Sequence, residues 1–155
     1  MSLKQQLDSD IRNAMKQGQK ERVGCLRMLK AKIQEKEVAL RSERGADGTL
    51  SDEEVTAVIA VYAKQRRDSI AGFEQGGRDD LVAKERAELE MISTYLPEQL
   101  GENDVRRIVT EAIAEAGATS ARDLGAVMKL VMPRVKAAAD GKLVSRLATE
   151  LLNSK

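Results

Sequence analysis

The chain has 155 residues, room for one ordinary domain or two small ones, and can bury roughly 70% of its unfolded surface without disulfides or metal. With 42% hydrophobic and 33% charged residues and only two prolines, it reads as a helix-rich globular protein. The absence of histidine excludes Ser-His-Asp and Cys-His catalysis and the HExxH zinc motif, and one phenylalanine and two tyrosines are too few for a base-stacking platform.

Ser2 and Gln5 form a potential capping box before Leu3, Leu7, Ile11, Ala14 and Met15, and Gly18 offers a left-handed close. A second helix is expected from about Lys20 to Arg44, followed by a glycine-containing turn over residues 45–51. Ser51 and Glu54 open a third helix that carries Val55, Val58, Ile59, Tyr62, Ile70 and Phe73 and stops at Gly76-Gly77. The short connection makes the second and third helices an antiparallel hairpin with arms of about 35 Å. Asp79 or Asp80 is expected to cap a fourth helix ending at Pro97.

Beyond Pro97-Glu98-Gln99-Leu100-Gly101 lie three shorter helical patterns. The first runs from Val105 to Ile113 and closes at Gly117. The second starts at Ser120, with Asp123 three residues on, and runs to Pro133. The third is capped by Asp140 and carries Leu143, Leu147, Leu151 and Leu152. No strand-period alternation is present. The expected fold is all-α, with a four-helix subdomain over residues 1–96 and a three-helix subdomain over residues 97–155.

The net charge of +1 conceals a division. Residues 1–46 hold 11 basic against 6 acidic residues (+5), and residues 47–99 hold 6 against 12 (−6). Residues 100–124 give 3 against 5 (−2), and residues 125–155 give 6 against 2 (+4). Pairing between the hairpin arms accounts for the first two blocks. The last block has no acidic neighbour in sequence, so two readings stand: a solvated face, or a surface that attracts a polyanion.

Cys25 is the one candidate nucleophile, but with no base to activate it a packed thiol is the simpler reading. Asp52-Glu53-Glu54 and Asp79-Asp80 open helices, where the dipole favours negative charge, and need no metal. Gly125 costs its helix roughly 1 kcal/mol relative to alanine, which a close helix or ligand contact would offset. Asp140-Gly141-Lys142-Leu143 places a cap, backbone N–H groups and a lysine at one helix start, an arrangement that suits a phosphate as well as an ordinary cap.

Several stretches resemble the stand-alone YqeY proteins of the GatB/YqeY group. They are Ser2-Leu3-Lys4 through Leu7, Arg27-Met28-Leu29-Lys30, Tyr95-Leu96-Pro97-Glu98-Gln99-Leu100, Met128-Lys129 through Met132-Pro133, and Ala139-Asp140-Gly141-Lys142-Leu143-Val144. The resemblance covers essentially the whole chain. It implies kinship with the C-terminal tail of the B subunit of the tRNA-dependent amidotransferase, a tail that contacts tRNA while amide transfer occurs elsewhere. Related segments often read Gly-Arg just before Ala-Asp, where this chain has Ala137-Ala138, which leaves Lys136 and Lys142 to supply the charge.

The expectation is therefore a non-catalytic protein that binds tRNA or another structured RNA through Gly125, Lys129, Arg134, Lys136, Asp140, Gly141, Lys142 and Arg146. The alternatives are a protein-interaction adaptor working through the N-terminal hairpin, or an accessory component of a glutamine-dependent amidotransferase, a carbon–nitrogen ligase. No cofactor or metal is expected, and the chain is expected to be a monomer away from membranes. The single cysteine, and an N-terminus without an apolar signal core, point to a reducing cytoplasm.

Overall fold

The computed structural model describes residues 1–45 and 48–154, and among them all regular structure is helical. The chain divides into two compact units, Met1–Leu96 and Pro97–Lys155. Ala46 and Asp47 of the expected glycine-containing turn lie outside the described residues.

The first unit comprises α1 (Leu3–Lys16), α2 (Lys20–Arg44), α3 (Asp52–Gln75) and α4 (Asp79–Ser93). Both expected capping boxes form: Ser2 with Gln5 opens α1, and Ser51 with Glu54 opens α3, each side chain satisfying a helix-end N–H of the other. Gly18 takes φ +69°, the left-handed conformation that turns the chain after α1. The apolar stripes converge on one core, in which Leu26, Leu29, Val55, Ile59 and Ile92 are fully buried. Arg44, in the last turn of α2, pairs with Glu54 in the first turn of α3 at 2.6 Å and closes the hairpin near its turn. Where α3 meets α4, Arg66 donates to Glu85 at 2.7 Å and to the Tyr62 hydroxyl at 2.5 Å, with its guanidinium 4.7 Å from the Tyr62 ring centre.

The second unit packs α5 (Glu102–Ala116), α6 (Leu124–Val135) and α7 (Gly141–Asn153) around an aliphatic core of Val105, Val109, Val127, Val131, Val144 and Leu147. Gly117 closes α5 in the left-handed conformation, and Asp140 caps α7 by accepting from the Lys142 N–H at 3.1 Å.

Three helix ends differ from the expectation. Arg78 is the N-cap of α4, and Asp79 and Asp80 sit in the first turn, where their charge meets the dipole without a capping hydrogen bond. That helix ends at Ser93 rather than at Pro97; the Ser93 and Thr94 hydroxyls donate back to Leu89 and Met91 carbonyls and compete for the last turn. Pro133 lies inside α6, which continues to Val135. Proline lacks an N–H, so the Lys129 carbonyl loses its helical donor, and the exposed edge of the helix tolerates this. The Ser120–Asp123 capping box opens a single 3₁₀ turn, Ala121–Asp123, that leads into α6.

Candidate nucleic-acid interface

On α6, Gly125, Lys129 and Met132 are spaced by four and three residues, which places them on one stripe. Lys136 follows at the C-cap of that helix. A side chain at Gly141 would meet the Met132 methyl carbon at 3.8 Å, so the same stripe abuts the start of α7. Gly125, Lys129, Lys136 and Lys142 are exposed, while Asp140 and Gly141 are partly covered. Lys129 has no ion pair among the described residues.

The Lys136 backbone is strained. Its φ of +45° with ψ of −127° is a conformation that favours glycine, and it is the one non-glycine with positive φ among the described residues. Two hydrogen bonds hold the turn that follows, and a third orients the Gln99 side chain that makes one of them. The Gln99 side-chain amide donates to the Pro97 and Ala137 carbonyls at 3.0 and 2.9 Å, and the Leu100 N–H donates to the Ala138 carbonyl at 2.8 Å. Nothing local to the Tyr-Leu-Pro-Glu-Gln-Leu stretch indicates that its last two residues clamp a turn some 38 positions on.

Two of the expected cations belong elsewhere. Arg134 is five positions from Lys129, on the other side of α6, and pairs with Glu115 of α5. Arg146 pairs with Glu150 at 3.1 Å and Glu102 at 3.4 Å, and Arg106 reaches the same two carboxylates at 3.9 and 3.4 Å. The acidic neighbours that the C-terminal block lacks in sequence are supplied by α5 in space.

Of the two contacts that would offset the cost of Gly125, the structure removes one. No atom of a neighbouring element lies within 4 Å of where its side chain would stand, so no close helix contact offsets its cost. The surface beside it is open.

Cys25 is a packed thiol. Its side chain is buried with Sγ 3.8 Å from the Glu88 carbonyl, and burial, then the Glu88 charge, pushes its pKa up to about 11. A thiol held neutral at physiological pH is a poor nucleophile. Among the described residues no group of three or more Cys, Asp or Glu side chains is placed to hold a metal ion, and no helix is long and apolar enough to cross a membrane.

The family model described as "Yqey-like protein" matches residues 4–152. The "Altered inheritance of mitochondria protein 41, mitochondrial" of Pyrenophora tritici-repentis is 29% identical over 152 residues, 96% of this chain and 80% of that protein. Proteins of the same name from Eremothecium gossypii and Saccharomyces cerevisiae (strain YJM789) are 34% and 33% identical over 90 residues. Those alignments cover 58% of this chain and 46% of each relative, so this match spans about half of their length. Neither the family description nor these names denote a reaction. They do overturn the cytoplasmic expectation, because the relatives are named as mitochondrial. A single buried thiol makes no disulfide in any compartment, so it could not identify one.

Proposed function

Because the chain belongs to the YqeY-like protein family, the stand-alone counterpart of the amidotransferase B-subunit tail, we propose that it binds tRNA or a similarly structured RNA without catalysing a reaction on it. The observation that carries this reading is that Lys129 on α6 and Lys136 at its C-cap lie on the side where a side chain at Gly141 would meet the Met132 methyl, so that the stripe abuts Gly141 and Lys142 at the start of α7. Cations of this kind neutralise phosphates and release counterions, and the N–H groups that open α7 favour negative charge. The small number of aromatic rings fits recognition of backbone and shape instead of stacked bases. Arg134 and Arg146 act in this reading as structural ion pairs.

The experiment is titration of fluorescent bulk tRNA with the whole protein at several salt concentrations. Binding that weakens steeply with salt and survives Lys30→Ala/Lys32→Ala, in the first unit, supports the proposal. Absence of binding at low salt, or loss of binding in that N-terminal pair, contradicts it.

A further inference from the structure

The first unit carries an open groove of about 580 Å³ between α2 and α3. Its α2 wall uses residues 32, 35, 36, 39, 40 and 44, and its α3 wall uses 54, 57, 58, 61, 62 and 65. Both sets recur at helical spacing over about three turns, roughly 17 Å at 1.5 Å per residue. The floor is apolar, formed by Leu40, Val58 and Val61 among others, and Val61 is 57% exposed.

The rims are unequal in charge. On the α3 side Glu54 is already neutralised by Arg44 at 2.6 Å, and Gln65 carries no charge. On the α2 side Lys32 lies 3.5 Å from Glu35 of the same wall, and Lys36, which has no ion pair among the described residues, leaves that wall net positive. The uncompensated charge is positive and lies along one edge of an apolar trough.

We propose that this groove receives an amphipathic helix of a partner protein, three to four turns long. Its apolar residues, spaced i, i+3/i+4, i+7, seat on Leu40, Val58 and Val61, and acidic residues along one flank meet Lys32 and Lys36. The groove length, the helical period of both walls and the one-sided charge select this occupant. The inference is independent of RNA binding, since it uses no residue of the second unit.

A displayed library of 14-residue amphipathic helices with randomised flanking charge, selected against the whole protein, tests it. Enriched clones should carry Glu or Asp on one flank of the apolar stripe, and a synthetic peptide from them should bind at least tenfold more weakly to both Val61→Glu and Lys36→Glu. Both sites are on exposed faces, and unchanged helical circular dichroism would show that the variants fold. Enrichment of neutral or basic clones, no enrichment at all, or binding to either variant as tight as to the unaltered protein would overturn the proposal.

Discussion

The Tyr95 hydroxyl donates a 2.5 Å hydrogen bond to the Asp10 carboxylate across 85 positions of sequence, tying the segment after α4 to α1. Tyr95 is 7% exposed, and burial, then the Asp10 hydrogen bond and charge, hold its pKa well above the ordinary tyrosine value. Tyr95→Phe keeps the ring and removes the donor to a charged acceptor. The expected loss is about 1–2 kcal/mol in urea unfolding, without change in the m-value.

Cys25 makes stability depend on alkaline pH. Its thiol ionises near 9 when unfolded and near 11 when folded, so the folded state holds the extra proton between those values. Stability is intact below pH 9 and falls as pH rises toward 11. Between pH 9 and 10 Cys25→Ala should show a flatter decline than the unaltered protein, since the contribution of Tyr95 is common to both. The native thiol should also react with a disulfide reagent at pH 8 far more slowly than the urea-unfolded chain.

Lys136 separates strain from charge. Lys136→Gly relieves the positive φ and removes one cation. Thermal unfolding should show a gain of about 0.5–1 kcal/mol, and tRNA affinity should fall at the same time. A change that stabilises the fold while weakening the complex assigns the lysine to binding.

Gly125→Ala should likewise stabilise, by roughly 0.5–1 kcal/mol, since the added methyl group meets no protein atom within 4 Å. If an RNA backbone approaches this stripe closely, the same variant loses affinity although its fold is firmer, and Gly125→Leu loses more.

The helices were legible because their signals are local. Ser2 with Gln5 and Ser51 with Glu54 announce helix starts within four residues, and Leu26, Leu29 and Ile33 recur at the helical period. What could not be read depends on partners distant in the chain. The charge of residues 125–155 suggested five cations acting together, but Glu115 and Glu102, both on α5, pair with Arg134 and Arg146. The strain at Lys136 was equally hidden, because lysine carries no turn signature and the Gln99 clamp that holds the neighbouring turn is visible only once the second unit has folded. Pro133 misled in the opposite sense: as a helix breaker it marked an end, whereas an exposed proline near the last turn costs α6 a single hydrogen bond.

The most direct test of RNA binding compares two double variants by the slope of log affinity against log salt for tRNA. Lys129→Ala/Lys142→Ala removes two cations from the proposed face, and Arg134→Ala/Arg146→Ala removes two outside it, beside Glu115 and beside Glu102 and Glu150, at the same cost in net charge. The account predicts that the lysine pair weakens binding to different tRNAs by similar factors and flattens the slope by about 1.4–1.8, at 0.7–0.9 per lost phosphate contact. The arginine pair should leave the slope unchanged and cost at most about 1 kcal/mol of stability. An arginine pair that flattens the slope while the lysine pair leaves it intact would contradict the account.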